Sequence, residues 1–297
     1  MADPTTTRAP TGATGVLVLA SGEIVWGRGF GAEGSAVGEV CFNTAMTGYQ
    51  EVMTDPSYAG QIINFTFPHI GNVGTNPEDI EATNPHALGA IVRQDVTNPS
   101  NFRATQHFRD WMAANGRIGL SGIDTRALTR LIRLKGAPNA VIAHSANGIF
   151  DIPALLAQAK AWPGLEGMDL AKDVTTLQSY GWDGGLWTLG HGYASKADKT
   201  GTNAARRPKV VAIDYGIKRN ILRNLVDAGC EVTVVPATAS FEDIMAHQPD
   251  GLFLSNGPGD PAATGVYSVP VIKAWLETKK PLFGICLGHQ MLGLAIG

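Results

Sequence analysis

The strongest constraint on the fold is the regular alternation of apolar strands and helices that begins at Lys209. Four apolar segments are typical of strands: 209–214, 231–236, 251–255 and 281–285. Helical patterns separate and follow them, at 217–228, 241–247, 267–278 and 287–296. Continuous apolar strands alternating with helices indicate a parallel sheet that is covered on both faces. Residues 209–297 are therefore predicted to form an α/β domain with a mainly parallel, doubly wound sheet.

The first half of the chain has a different, mixed pattern. Two apolar segments flank Ser21-Gly22, which predicts a β-hairpin. Shorter strand-like stretches follow at 39–43 and 61–67. Residues 124–133 have helical periodicity, and Gly136 is expected to end that helix. Residues 1–182 are accordingly predicted to form an N-terminal mixed β/α domain.

A change in composition separates these two regions. From about Trp182 to Pro208 the chain is rich in Gly, Ala, Lys, Thr and Asn and has no periodicity. Such a segment is typical of a linker or an exposed connection. We therefore predict a linker at 183–208.

The chain totals exclude several classes of protein. With 23 Lys and Arg against 26 Asp and Glu, the net charge of -3 gives no electrostatic basis for binding nucleic acid. The three cysteines have no CxxC spacing, which argues against a disulfide framework or a metal site. The N-terminus lacks the apolar core of a signal peptide, and no apolar run is long enough to span a membrane. We expect a cytoplasmic protein without metal, membrane or nucleic-acid partners.

Three unusual stretches follow the predicted strands of the last third. They are Asp214-Tyr215-Gly216, the loop Ser255–Pro261, and Cys286 with its neighbours. In an open parallel sheet, ligands bind outside the carboxyl ends of the strands. The fold is therefore expected to gather these stretches at one edge.

Cys286 has the sequence setting of a nucleophile elbow. It follows a predicted strand, precedes a predicted helix, and has Gly284 and Gly288 two positions on either side. Small neighbours relieve the crowding of such a turn, and the helix N-terminus favours a thiolate. The alternative is a buried structural thiol, since cysteine is among the most buried residue types. The paired glycines favour the nucleophile, whereas Cys41 and Cys230 lack these features.

The loop Ser255–Pro261 allows three interpretations. Its glycines and prolines suit a close approach of backbone to a ligand. A phosphate loop would need a Lys-[Ser/Thr] pair that is missing here, and a plain tight turn is the simplest alternative. Beside Cys286, we favour an oxyanion hole in which a glycine N–H of this loop acts with the N–H of Leu287. None of the seven histidines stands out as the general base.

These motifs resemble the glutamine-hydrolysing small subunit of carbamoyl phosphate synthetase. The elbow Gly284–Gln290 and the loop Ser255–Pro261 are similar to the class I glutamine amidotransferase signatures, which related amidotransferases also carry. Segments of the first half resemble this subunit in particular: 38–44, 46–51, 55–58, 68–74, 122–126 and 164–176. The resemblance runs from about Gly15 to Gly297, and it implies an incomplete amidotransferase domain at the C-terminus.

The resemblance implies a reaction and a set of site residues. Cys286 would attack the side-chain amide of glutamine, forming a γ-glutamyl thioester and releasing ammonia. Glutamine would be bound by Ser57, Gly257, Gly259, Leu287 and Gln290. A large synthetase subunit would be the partner, and it would use ATP and Mg²⁺, with no cofactor in this chain, to make carbamoyl phosphate for arginine and pyrimidine biosynthesis.

The family's base and orienting acid, a His and a Glu two residues after it, are expected beyond Gly297. A cysteine without its base retains little amidase activity. Two hypotheses therefore stand side by side: a glutaminase subunit, or a non-catalytic companion that binds the large subunit. A cysteine hydrolase with an unrelated substrate is disfavoured by the N-terminal resemblance.

Overall fold

The computed structural model describes residues 9–193 and 206–297, which form two compact units. The first unit ends at Leu165 and the second begins at Glu166. This differs from the predicted domain boundary at 182. Residues 166–182 contribute a strand to the second unit's sheet, so composition alone placed the change too late.

Seven strands of the first unit close into a barrel. They are β1 (Gly15–Leu19), β2 (Ile24–Gly31), β3 (Gly34–Asn43), β4 (Gln61–Phe65), β5 (Gly89–Ile91), β6 (Ile118–Ser121) and β7 (Asn139–His144). Their order is β1-β2-β6-β5-β4-β3-β7, and β7 pairs back to β1. The run from β3 through β4 and β5 to β6 is parallel, and the other pairs are antiparallel. The predicted hairpin is confirmed, with Val18 opposite Ile24.

Helices lie against the barrel. They are α1 (Tyr49–Thr54), α2 (Phe108–Ala114), α3 (Thr125–Lys135) and α4 (Ile152–Ala161), with a 3-10 helix at Pro56–Tyr58. Helix α3 confirms the predicted helix. The Asp124 side chain accepts a hydrogen bond from the Ala127 N–H at its start, and Gly136 ends it at a φ of +87°. Only glycine adopts such a φ without strain.

Strand β1 of the barrel is buried on both faces. In β1, Leu17 and Leu19 pack in one cluster with Ile62. The alternate residues Val16 and Val18 pack in another, with residues of α4. Because side chains alternate along a strand, a strand covered on both sides reads as a continuous apolar run.

The second unit contains an open five-stranded sheet. The regular elements of this unit are α5 (Ala171–Val174), β8 (Tyr180–Trp182), β9 (Trp187–Thr188), β10 (Gly192–Tyr193), β11 (Lys209–Asp214), α6 (Arg219–Asp227), β12 (Glu231–Pro236), α7 (Phe241–Ala246), β13 (Gly251–Leu254), α8 (Pro261–Glu277), β14 (Leu282–Gly284) and α9 (Leu287–Ile296). The order is β14-β13-β11-β12-β8, parallel except for the antiparallel β8. The predicted, mainly parallel sheet is confirmed.

Helices cover both faces of this sheet. On one face, Leu222 and Val226 of α6 pack against strand residues such as Val234. On the other, Trp275 of α8 and Met291 of α9 pack against the alternate strand residues. The sheet is therefore doubly wound, as the alternation predicts.

Helix α8 begins six residues earlier than its apolar pattern indicates. The Asp260 side chain accepts a hydrogen bond from the Ala262 N–H, and Pro261 occupies the first position of the helix. Both are favourable at a helix N-terminus, because the first N–H groups lack partners within the helix. The start is set by this cap rather than by hydrophobic spacing.

Part of the predicted linker has regular structure. A two-stranded ribbon joins β9 (Trp187–Thr188) and β10 (Gly192–Tyr193). The Arg223 guanidinium lies 3.8 Å from the centroid of the Tyr193 ring, a cation–π geometry. Residues 194–205 of the predicted linker lie outside the described residues. Within the described ranges, no helix has the length and apolar character needed to cross a bilayer.

Candidate functional site

Cys286 occupies a sharp turn between β14 and α9. Its φ of +53° and ψ of -117° fall outside the regions that non-glycine residues favour. Such strain persists only where the surrounding structure enforces it, and it clusters at functional sites. The side chain is exposed. The turn thus presents the thiol to solvent at the carboxyl edge of the sheet.

The two flanking glycines make this turn possible. A Cβ atom added to Gly288 would lie 2.3 Å from the carbonyl oxygen of Leu254 in β13. One added to Gly284 would lie 2.8 Å from backbone atoms of Gly288. Both separations are well below van der Waals contact, so any larger residue would push α9 away from the sheet.

The thiol also differs from the other two cysteines in its electrostatic setting. Cys286 is the residue before the first turn of a ten-residue helix, where free N–H groups favour negative charge. By contrast, burial raises the pKa of the Cys41 thiol to about 12. Burial also raises the pKa of Cys230. Burial therefore disfavours the reactive thiolate at both of these residues.

The loop Ser255–Pro261 starts beside the elbow. The Gly288 N–H donates to the Ser255 carbonyl at 3.0 Å, and the Ile285 N–H donates to the Leu254 carbonyl at 3.0 Å. The end of β13 and the turn after β14 are therefore held together by main-chain hydrogen bonds. The structure brings together the two stretches that the sequence singled out.

The loop glycines are tightly enclosed. A Cβ added to Gly257 would lie 2.1 Å from the Tyr215 carbonyl oxygen, and one added to Gly259 would lie 2.6 Å from the Met168 carbonyl oxygen. Gly259 also has a φ of +92°. Packing alone thus requires glycine at both positions, and their contact with glutamine stays a prediction.

Buried polar residues brace this edge of the sheet. The Asp214 carboxylate accepts hydrogen bonds from the N–H groups of Gly216, Ile217 and Thr176 at 2.7–2.9 Å. Burial raises the pKa of Asp214, and these three hydrogen bonds oppose that effect. The carboxylate therefore fixes the turn after β11.

Ser255 and Asn256 continue this bracing. The Ser255 hydroxyl accepts from the Tyr215 N–H at 2.9 Å. The Asn256 amide donates to the Gly216 carbonyl at 2.8 Å and accepts from the Lys218 N–H at 3.0 Å. Sequence reasoning assigned no role to these side chains. The sequence signal that points to such a role is their polar character directly after an apolar strand.

The remaining predicted site residues lie in different places. The side chain of Leu287 is buried in the core, which leaves its N–H as the group available at the turn. Gln290 is exposed on the same helix, and its N–H donates to the Cys286 carbonyl at 3.0 Å. Ser57 belongs to the first unit, in the 3-10 helix, where its N–H donates to Asp55 at 2.9 Å. Its role toward glutamine stays a prediction.

No base is found at the thiol within the described part of the chain. There, no side chain forms a hydrogen bond with the Cys286 sulfur, and His289, one turn into α9, is exposed. Across residues 9–193 and 206–297, no group of three or more His, Cys, Asp or Glu could hold a metal ion.

Comparison with known proteins gives consistent matches for both units. Residues 17–142 match the family model of the carbamoyl-phosphate synthase small chain, CPSase domain, and residues 211–297 match that of glutamine amidotransferase class-I. The carbamoyl phosphate synthase small chain of Zymomonas mobilis subsp. mobilis is 65% identical over 281 residues, which are 95% of this chain and 74% of the relative. That of Bradyrhizobium diazoefficiens is 64% identical over 288 residues, 96% of this chain and 71% of the relative.

Proposed function

The chain belongs to the carbamoyl phosphate synthase small chain family, and on this premise we propose that it hydrolyses glutamine and passes the ammonia to a large synthetase subunit. The large subunit would bind ATP and Mg²⁺ and form carbamoyl phosphate for arginine and pyrimidine biosynthesis. The amidotransferase match at residues 211–297 supports the first half of this proposal, because that region contains Cys286. The relatives' names, carbamoyl phosphate synthase small chain, support the formation of carbamoyl phosphate with a further subunit.

The chemistry proceeds in two steps, formation of a thioester and its hydrolysis. The Cys286 sulfur attacks the side-chain carbonyl of glutamine, a C–S bond forms, the C–N bond breaks, and the nitrogen leaves as ammonia after gaining the proton that the thiol gave up. Water then attacks the γ-glutamyl thioester, giving glutamate and the free thiol. Both steps pass through a tetrahedral intermediate whose oxyanion needs donors. The N–H of Leu287 and a glycine N–H of the loop Ser255–Pro261 are the proposed donors.

One observation carries this proposal: the exposed thiol on a strained turn at a helix N-terminus. A buried structural cysteine requires neither a strained φ nor two enclosed glycines beside it, whereas a nucleophile at a sharp turn requires both. Gln290 and the loop glycines lie at the same edge, and we propose that they hold glutamine there together with Ser57. A histidine paired with a glutamate is the proposed base, as the family resemblance implies.

Replacement of the nucleophile tests the proposal. Cys286→Ser in the natural protein is expected to lower the rate of glutamine hydrolysis by at least about a thousandfold, since the nucleophile and its covalent intermediate are both lost. The rate of glutamate formation is measured directly. Cys230→Ser is the matched control, because this half-buried thiol lies outside the site, and it should leave the rate unchanged.

Carbamoyl phosphate synthesis by the complex separates the two hypotheses about this chain. With Cys286→Ser, synthesis from glutamine should stop while synthesis from added ammonia continues. If the variant and the unmodified protein hydrolyse glutamine at the same appreciable rate, the nucleophile assignment fails. If neither of them hydrolyses glutamine, the role of a non-catalytic companion is favoured.

A further inference from the structure

Four arginines line one cavity of the first unit. The cavity has a volume of about 670 Å³, and its walls carry Arg93, Arg126, Arg130 and Arg133 together with four threonines and Pro68. Residues of α3 and residues that directly follow β3 and β4 line it, and none of the residues assigned to glutamine takes part in it. The cavity is strongly positive, because among the described residues only Arg93 of these four arginines pairs with a carboxylate.

Three of these arginines form a single face of α3. Arg126, Arg130 and Arg133 are spaced by four and three residues, so they lie on one side of the helix, and all three are exposed. The opposite side carries Leu128 and Ile132, which are buried against the barrel. Among the described residues, no carboxylate lies within ion-pair distance of these three, whereas Arg93 pairs with Asp124 at 3.4 Å.

This arginine face (Arg126, Arg130 and Arg133) is held rigidly on the barrel. The buried Asn64 of β4 donates to the Thr125 carbonyl at 3.1 Å and to the Thr129 hydroxyl at 2.9 Å. The Asp124 side chain caps the helix. A preordered surface loses less conformational entropy on binding than a mobile one, so the arrangement suits recognition.

The face is unfavourable for the isolated helix. Like charges three or four residues apart destabilise a helix. A partner of opposite charge would offset that cost. The guanidinium group pairs with carboxylates through two parallel hydrogen bonds, and arginine is enriched in protein interfaces.

The spacing identifies the kind of partner. Seven residues separate Arg126 from Arg133, which corresponds to about 10 Å along the helix axis. A single phosphate ion cannot span that distance, but a row of carboxylates on a protein surface can. We propose that the arginine face docks on an acidic surface of the large synthetase subunit, an inference that rests on the function proposed above.

Binding of the two natural subunits tests this surface. In the small chain, Arg126→Gln, Arg130→Gln and Arg133→Gln are combined, and affinity for the large subunit is measured over a range of sodium chloride concentrations. We expect binding at least about tenfold weaker at low salt and a reduced dependence on salt, because exposed charges act over distances that salt screens. Lys160→Gln with Arg109→Gln is the matched control, which removes exposed cations from α4 and α2 and should bind as the unmodified chain does.

Two further measurements keep the result interpretable. Glutamine hydrolysis by the free small chain and its thermal unfolding midpoint should be unchanged in the triple variant, which shows that the fold is intact. Potassium phosphate at the ionic strength of the chloride series should weaken binding no more than chloride does. If phosphate lowers the affinity of the unmodified chain to that of the triple variant, the anion competes with the large subunit for the arginine face, which supports docking there.

The remaining outcomes separate this inference from the one on which it rests. Equal affinity and equal salt dependence for the triple variant and the unmodified chain would overturn the docking surface while leaving the proposed function standing. Failure of the unmodified chain to bind the large subunit at all would overturn the proposed function itself, and the docking surface with it.

Discussion

The first unit of this chain has a closed sheet, whereas the second has an open one. In the first, β7 pairs back to β1, so every barrel strand has two hydrogen-bonded neighbours. In the second, the sheet stays open, with β14 and β8 at its edges. A closed sheet uses its main-chain groups internally, whereas an open parallel sheet presents the carboxyl ends of its strands to ligands. The candidate nucleophile lies in the open sheet.

Glycine has a different purpose in each unit. In the barrel, Gly119 lies opposite Phe30 across a strand pair, and a Cβ there would be 2.2 Å from the buried phenyl ring. The absence of a side chain makes room for a core residue. In the open sheet, Gly288 makes room for backbone, since its neighbour is the Leu254 carbonyl. Gly119 leaves space for the Phe30 ring in the core, and Gly288 permits a strained turn.

The largest expected effect concerns this second glycine. Gly288→Ala should lower the free energy of unfolding of the second unit by about 3 kcal/mol, because a backbone carbonyl cannot move aside as a flexible side chain can. Hydrogen exchange at the amides of β11 and β13 measures the change for this unit.

Gly293→Ala in the same helix is the control for that substitution. A Cβ at Gly293 meets no atom within 4 Å, so alanine should raise stability by about 0.5–1 kcal/mol through its better helix propensity. Equal effects at positions 288 and 293 would show that helix propensity, and not contact with β13, governs the elbow.

A smaller effect belongs to the barrel unit and depends on pH. Burial raises the pKa of the Glu51 carboxyl in α1 to about 7. The folded state therefore favours the protonated form of Glu51. The stabilisation from this protonated carboxyl is complete below the unfolded pKa of about 4.3, and it is lost as the pH rises through the folded pKa of about 7. Glu51→Gln should thus raise stability by about 2 kcal/mol at pH 8 and leave it unchanged at pH 4.

Hydrogen exchange at barrel amides at the two pH values measures the effect of Glu51→Gln. Asp110→Asn, at an exposed residue in the first turn of α2, is the control for removal of a carboxylate from the same unit. A gain at pH 4 as large as that at pH 8 would mean that ionisation of Glu51 is not the cause.

The smallest expected effect concerns a helix N-cap in each unit. Ser240 caps α7 through a reciprocal pair of hydrogen bonds with Asp243, and Asp124 caps α3. Ser240→Ala and Asp124→Ala should each cost about 1 kcal/mol in their own unit, because one helix N–H loses its partner. Denaturant titration read by hydrogen exchange checks this, with Ser240→Asn expected to retain the cap. Stability unaffected by both alanine changes would contradict a role for these caps.

Much of the second unit was predictable because its signals are local. Apolar runs indicate β11, β12 and β13, and the glycines around Cys286 predict the strand-to-helix turn. The apolar pattern predicts the start of α8 six residues late, because the cap at Asp260 and not hydrophobic spacing sets it. The ribbon at β9 and β10 was also missed, since two-residue strands carry no periodicity.

The amino-acid sequence by itself determined the alternating α/β pattern, the elbow at Cys286 and the family resemblance, because each depends on residues close together in the chain. Only the tertiary structure decided that seven strands close into a barrel, that Glu166–Trp182 joins the second unit, and that three arginines on α3 stand without acidic partners among the described residues. Strand pairing between distant segments follows from their mutual packing, which no local pattern encodes. The thiol at Cys286 shows both contributions, since the sequence indicates the turn and the contact of Gly288 with β13 holds it.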